Sequence, residues 1–387
     1  MSKFANNFFS VSFDLVIVDD PITYDLYVNS STSENREKFV RVFPMGDTLN
    51  MHELGEFKQK YFQLYVHESQ RFAYLSGVVK SKSIDSITKT DVVKSTAIVY
   101  LDKIFDKDKE FTTELLSEAV QDCKQAVAGM LEVIKDKNIS DIKSLISSLS
   151  FHDFYTYDHS INVSMYCIAL YKAIKPNAPQ EEIILVGLGG MLHDIGKVKI
   201  NTHIINKPDK LDDDEFRMIK NHPKYGYDLL TENNCTTCSE FDLNILKRVV
   251  FEHHENYNGT GYPSKLEGND IHLFARIVAI ADFFDAITTK RSYHEVLNTE
   301  DALNVMAKTV GKKIDPDLFE AFCKSVRTTM TSKVSKENRE LPEYFDPCQP
   351  QNVLPFQMPK PQLIKEGFGH PGDLEKKKLI EKLKKIV

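Results

Sequence analysis

Apolar residues recur along this chain with two different periods, and the change from one to the other divides it. In the first segment Phe9, Val11, Phe13 and Leu15 alternate with Ser10, Ser12 and Asp14, and Tyr24, Leu26 and Val28 alternate with Asp25, Tyr27 and Asn29. A period of two predicts strands with one buried face. Tyr61 to Tyr65 and Phe72 to Val79 add two further predicted strands. Asn50 followed by Glu53 has the spacing of a capping box, opening a helix whose stripe is Met51, Leu54 and Phe57. From about Thr112 the period lengthens: Leu115, Ala119, Cys123, Val127, Met130 and Ile134 repeat at three and four residues, as in an amphipathic helix. Almost every segment from there to about Val326 has a helical pattern. Beyond it Pro342, Pro347, Pro350, Pro355, Pro359 and Pro361 suit an extended arm. The pattern therefore predicts a multidomain chain: a small N-terminal α+β regulatory domain over 1–110, a linker helix over 111–150, an all-α domain over 151–330, and a proline-containing, lysine-rich tail over 331–387.

Composition narrows the function classes. The 387 residues exceed one average domain, and a net charge of -7 gives no basic footprint for a nucleic-acid polymer. No apolar run approaches membrane-spanning length, and Met1 to Asn7 lacks the apolar core of a signal peptide, so a cytoplasmic protein is expected. Six scattered cysteines do not make a disulfide framework, and Cys235 with Cys238 lacks the second pair of a zinc site and reads as a surface loop. The helix after Thr112 suits a connector, a homodimer contact or plain packing onto its own core. In the tail, Leu379, Leu383 and Ile386 form one stripe among lysines, a basic amphipathic pattern that docks on a partner, on a membrane surface or back onto its own domain.

The chemistry gathers around Gly189-Gly190-Met191-Leu192-His193-Asp194-Ile195-Gly196-Lys197. Ile183, Ile184, Leu185, Val186, Leu188, Met191 and Leu192 lead into the His-Asp pair, so an imidazole and a carboxylate end a buried helix and need partners. His159 opens another apolar helix, and His222 ends a helix that begins with Asp212 and Glu215 in capping-box spacing. His253 and His254 follow a third, and Asp282 interrupts the apolar stripe of a fourth between Ile280 and Phe283. Imidazole and carboxylate suit Fe, Mn, Zn or Ni, and a single aspartate can bridge two ions. Two ions roughly 3.5 to 4 Å apart can share a hydroxide and clamp an in-line phosphoryl displacement, with Lys197 placed to neutralise phosphate charge. Arg276, Lys290 and Arg291 read as surface or salt-bridge residues unless a phosphate binds beside the metals.

The order of these residues adds a resemblance. His159, then His193-Asp194-Ile195-Gly196-Lys197, Asn206-Lys207-Pro208, His222-Pro223, His253-His254-Glu255 with Asn258-Gly259-Thr260-Gly261-Tyr262-Pro263, then Asp282-Phe283-Phe284-Asp285-Ala286 and Arg291-Ser292-Tyr293, together resemble the HD-GYP domain. This is a branch of the HD phosphohydrolase superfamily, and the match covers roughly Phe151 to Val326. The resemblance implies an all-helical domain with a bi- or trinuclear metal centre, often iron, that hydrolyses cyclic di-GMP to linear pGpG or GMP. It implies His159, His193, Asp194, His222, His253, His254 and Asp282 as metal ligands, Asp194 bridging, Lys197 at the scissile phosphate and Arg291 as a substrate contact. Gly261, Tyr262 and Pro263 would border the substrate and can meet a protein partner.

Departures from the family pattern qualify this reading. Tyr155 stands where some members place a glutamate for a third metal, so two divalent ions are expected, with Fe foremost and Mn, Ni or Zn as alternatives. Asn258 replaces an aspartate, Lys199 and Asn201 replace a small residue and a proline, Ser292 replaces a proline and His294 a lysine. These changes bear on substrate affinity and turnover rather than on the ligand set. Two further readings stay open: a weakly active cyclic-dinucleotide sensor acting through partners, and a hydrolase of a hybrid cyclic dinucleotide.

Overall fold

The computed structural model describes residues 7–30, 38–105, 112–149, 155–205, 207, 211–232, 239–289 and 297–327. The chain divides into two compact units, with the boundary after Ser95, earlier than the change of periodicity places it.

In the first unit, strands β1 (Phe8–Val11), β2 (Leu26–Asn29), β3 (Phe39–Phe43) and β4 (Leu64–His67) form an antiparallel sheet in the order β1-β4-β2-β3. The pairing Phe9↔Val66 and Tyr27↔Tyr65 fixes which residues share a face. Phe9, Val11, Leu26, Val28, Leu64 and Val66 are buried, the one-sided burial that their alternation predicts. Helix α1 (Met51–Lys60) begins with the predicted box, Asn50 Oδ1 accepting from Glu53 N and Glu53 Oε2 accepting from Asn50 N. Two strand expectations are corrected. Phe13–Leu15 is a 3-10 turn, its start capped by the Ser12 hydroxyl. The stretch Phe72 to Val79 lies in helix α2 (Arg71–Lys80), where Arg71, Tyr74, Leu75, Val78 and Val79 are buried at a spacing of three and four. An apolar run of that length fits either period, and here packing selects the helix.

Helix α3 (Ser86–Phe105) crosses the boundary. The second unit is helical among the described residues: α4 (Thr113–Ile134), α5 (Ile139–Ser148), α6 (Tyr155–Ile174), α7 (Gln180–Leu192), α8 (Thr202–Ile205), α9 (Asp213–Ile219), α10 (His222–Glu232), α11 (Glu240–Glu252), α12 (Leu273–Thr288), α13 (Thr299–Ala307) and α14 (Pro316–Arg327). Helix α4 packs on α6 and α7 and buries Leu116, Ala119, Val120, Cys123, Val127 and Met130, so its stripe belongs to this unit's own core. Helices α6, α7 and α12 make the centre. There α7 approaches α6 closely: a Cβ at Gly190 would lie 3.0 Å from Cys167 Sγ and 3.1 Å from Ser164 Cα.

Between α7 and α8 the chain makes a 3-10 turn, Ile195–Lys199, which packs against α10. A Cβ at Gly196 would overlap the His222 carbonyl oxygen and lie 2.5 Å from Gly226 N, both backbone atoms. This contact seats the start of α10 against the end of α7. Gly196→Ala should therefore cost about 1–3 kcal/mol of stability, as overpacking does, read as a lowered urea midpoint. An unchanged midpoint would show that α10 does not depend on the contact.

Candidate metal centre

Three of the site histidines sit where helices end. Leu192 is the last residue of α7 and His193 follows it; Glu252 is the last of α11 and His253 follows; His222 comes after α9 and opens α10 rather than closing the helix before it. The last carbonyls of a helix lack intrahelical donors. Each imidazole supplies one: Nδ1 of His193 lies 2.7 Å from Gly190 O, Nδ1 of His222 2.8 Å from Ile219 O, and Nδ1 of His253 2.9 Å from Val250 O. With Nδ1 donating, Nε2 carries the lone pair, the tautomer that a metal takes.

Those nitrogens converge on Asp194. Its Oδ1 is 3.2 Å from His222 Nε2, and its Oδ2 is 3.2 Å from His193 Nε2 and 2.5 Å from Lys197 Nζ. Asp194, His222, His253 and His254 offer one donor atom each within 4.8 Å of one another, and so do His159, His193 and Asp194. The two groups share Asp194 alone. Asp282 joins the second group's edge, its Oδ1 3.1 Å from His159 Nε2. Every one of these side chains is buried.

The donors fit cations. His222 Nε2 and His253 Nε2 face each other at 3.1 Å while both Nδ1 atoms are turned to carbonyls, so two lone pairs point at one spot. Positive charge placed there turns that repulsion into ligation. Burial pushes His222 down to about 4, despite the opposing charge of Asp194, and holds His253 and His254 well below the ordinary imidazole value. All three are neutral donors at pH 7. Burial alone would raise Asp194, but Lys197 and His193 outweigh it and hold the carboxyl well below its ordinary value. A mixed imidazole and carboxylate set with no thiolate suits divalent first-row metals.

His159 differs from the other imidazoles. Its Nδ1 is 2.7 Å from Asp285 Oδ2, and although burial lowers its pKa, hydrogen bonds to Asp282 and Asp285 raise it to about 9. Burial likewise raises Asp282, and the hydrogen bond to His159 overcomes this and brings the carboxyl to about 2. Asp285 is fully buried and also accepts from Asn162 Nδ2 at 3.0 Å and Thr289 Oγ1 at 2.7 Å. It orients His159 through the nitrogen that faces away from the donor cluster. Sequence alone assigns no role to Asp285 or Asn162. The available signal is spacing: Asp285 lies three residues after Asp282 and Asn162 three after His159, each on its partner's helical face.

The structure also places the loop after His254. Glu255 does not join the donors; its Oε1 accepts from Ser264 N at 2.6 Å and its Oε2 from Leu266 N at 3.2 Å. A Cβ at Gly261 would collide with the backbone of Glu255 and Asn256, which excludes other residues there. The Tyr262 ring stacks on His254 with centroids 5.0 Å apart, Tyr262 N donates to His254 O, and the Tyr262-Pro263 peptide bond is cis with Pro263 exposed. Asn258 Oδ1 accepts from Thr260 N and Oγ1 at 3.2 and 2.7 Å. Arg276 is salt-bridged to Asp315 at 2.6 Å, as its sequence setting suggests. Arg291, Lys290, Ser292, His294, Cys235, Cys238, the side chain of Tyr155 and the whole tail lie outside the described residues. Among the described residues no helix is long and apolar enough to cross a membrane.

Comparison with known proteins agrees with this architecture. A family model described as HD domain matches residues 144–318. A cyclic di-GMP phosphodiesterase of Pseudomonas aeruginosa is 39% identical over 178 residues, covering 46% of this chain and 41% of the relative. A 3'3'-cGAMP-specific phosphodiesterase of Vibrio cholerae is 32% identical over 179 residues, covering 46% and 33%. The chain thus spans less than half the length of these two curated relatives. A solved HDG"Y"P protein from Bdellovibrio bacteriovorus has a similar fold, with a TM-score of 0.51 at 20% identity, over 83% of this chain and all of the other. The motif order and the family match fall on the same helices: residues 144–318 match the HD domain and are similar in sequence to the cyclic-dinucleotide phosphodiesterases named above.

Proposed function

We propose that this protein is a metal-dependent phosphodiesterase that hydrolyses cyclic di-GMP to pGpG or GMP in bacterial second-messenger signalling. The observation that carries the reading is the pair of donor groups joined only by Asp194, an arrangement suited to two ions bridged by one carboxylate. His222, His253 and His254 would hold one ion, and His159, His193 and Asp282 the other, with iron the first candidate and manganese, nickel or zinc after it. Bound divalent ions supply Lewis acidity at phosphorus and a hydroxide nucleophile at neutral pH.

The chain's own residues do the rest. Asp194 would contribute to holding both ions, Asp285 and the helix-end carbonyls lock the imidazoles that face them, and burial excludes bulk water. Lys197 lies at Asp194 Oδ2 with 7% of its surface exposed, and we assign its ammonium to the charge that builds on phosphate in the transition state. Arg291 is assigned to substrate binding on its motif position, and Gly261, Tyr262 and Pro263 to the substrate border and a protein contact. The region before the helical unit is assigned a regulatory role. Relatives named for 3'3'-cGAMP as well as for cyclic di-GMP keep a second reading in play, a hybrid-dinucleotide hydrolase with the same ligands and different base contacts.

The assay is turnover of cyclic di-GMP and of 3'3'-cGAMP by anaerobically purified protein resupplied with Fe(II) or Mn(II). Faster turnover of cyclic di-GMP supports the first reading, the reverse preference the second, and full metal loading with binding but no product the sensor. In metal analysis Asp194→Ala should lose both ions and His254→Ala only one; wild-type content in both variants would overturn the ligand assignment. Lys197→Ala should keep its metals while kcat falls on the order of 10²–10³-fold, the scale of losing one stabilising donor. Loss of metal in that variant would instead make Lys197 a support for Asp194.

A further inference from the structure

A second cleft, of about 470 Å³, opens in the helical unit and is lined by Ser140, Lys143, Ser144, Ser147, Ser148 and Thr299. Five of these bear hydroxyls and one bears an ammonium; neither a carboxylate nor an apolar side chain is among them. Helical spacing produces this lining, because Lys143 and Ser144 lie three and four residues from both Ser140 and Ser147 along α5. Thr299 faces them from the first residue of α13.

Lys143 carries the charge of this lining. Its Nζ donates to Thr299 Oγ1 at 2.9 Å and lies 5.6 Å from the Phe284 ring centroid. By contrast Lys103, Lys197 and Lys207, which are also partly or wholly withdrawn from water, each have a carboxylate at 2.5 to 2.9 Å. Lys143 has none within salt-bridge distance among the described residues. Asp285 attracts it from a distance, but that carboxylate is committed to His159, Asn162 and Thr289. Burial accordingly brings the amine down to about 8. Ser144 and Ser147 are exposed along the same face, and the Thr299 hydroxyl, while accepting from Lys143, keeps its own proton to donate.

The geometry points to an oxyanion site in this cleft, which takes a phosphate group between the Lys143 ammonium and the hydroxyls of Ser144, Ser147 and Thr299. One charge-assisted bond and several neutral donors match a tetrahedral anion. Inorganic phosphate and the terminal phosphate of a nucleotide share this chemistry. The site lies on side chains separate from the proposed metal ligands and does not depend on the phosphodiesterase reading.

The test is trace acylation of lysines in the full-length protein near pH 8, with Lys143 modification followed by mass spectrometry. Inorganic phosphate, 5'-GMP and chloride at matched ionic strength are compared. Phosphate should slow labelling of Lys143 at least fivefold while Lys103 and Lys175 are unaffected, and the protection should persist in Asp194→Ala, where metal-held phosphate cannot cause it. Protection should weaken in a Ser144→Ala/Ser147→Ala double variant. Protection by phosphate alone identifies the free anion as ligand, and protection by 5'-GMP as well identifies a nucleotide phosphate. Equal labelling in all three solutions, equal protection by chloride, or protection lost in Asp194→Ala would each overturn the site.

Discussion

Burying the carboxylate of Asp194 is the constraint on which the rest of the helical unit depends. A lone charge taken into a protein interior is costly unless it is paired and fully hydrogen-bonded. Asp194 meets part of this with Lys197 one turn later, while the Nε2 lone pairs of His193 and His222 face its oxygens, an arrangement that positive charge between them completes. Lys197 reaches back because the chain tightens into a 3-10 turn after Asp194, and that turn fits only because Gly196 lets α10 come into contact. The same contact delivers His222 to Asp194 Oδ1. Ion pair, turn and helix seat are thus one device.

A second device recurs three times. His193, His222 and His253 each hydrogen-bond a carbonyl three residues earlier in the chain, in the last turn of a helix or at its final residue. This satisfies a carbonyl that the helix leaves unpaired, orients the ring and directs Nε2 inward. For His193 and His253, which directly follow α7 and α11, it also places the ring at the negative end of a helix dipole, which favours a cation at the ring's far side. The site is therefore pre-formed by secondary structure rather than by loops. His159, in the interior of α6, has no free carbonyl to use and takes Asp285 instead.

These devices explain what is legible in the sequence. Histidines and aspartates that interrupt or end apolar helices stand out one by one, and their order along the chain makes the set specific. Asp285 carries no role on sequence grounds, because a second carboxylate on an apolar helix becomes meaningful only when α6 and α12 are packed together. The stretch Phe72 to Val79 reads as a strand because its apolar residues satisfy two periods over so short a run, and burial of Tyr74, Leu75 and Val78 decides for the helix. The ion pair of Lys197 with Asp194 is hidden for a different reason. The motif implies a phosphate contact for the ammonium, while its nearest anion is Asp194, a member of the donor cluster itself.

The loop after His254 shows which departures from the family pattern matter physically. An asparagine at 258 removes a charge, yet its Oδ1 still accepts from both the nitrogen and the hydroxyl of Thr260, the task a short acceptor performs in such a turn. The loop's attachment lies elsewhere. Glu255 binds its returning backbone at Ser264 and Leu266, Gly261 admits the close approach to Glu255 and Asn256, and Tyr262 rests on His254. Glu255 itself is withdrawn from water, its pKa raised by burial, and it spends its oxygens on backbone rather than on a cation. The loop is consequently fastened from the donor cluster's side, through Glu255 and through the ring of His254. Position 258 then tunes a turn, and the neutral residue found there does not loosen the hold of the loop on the site.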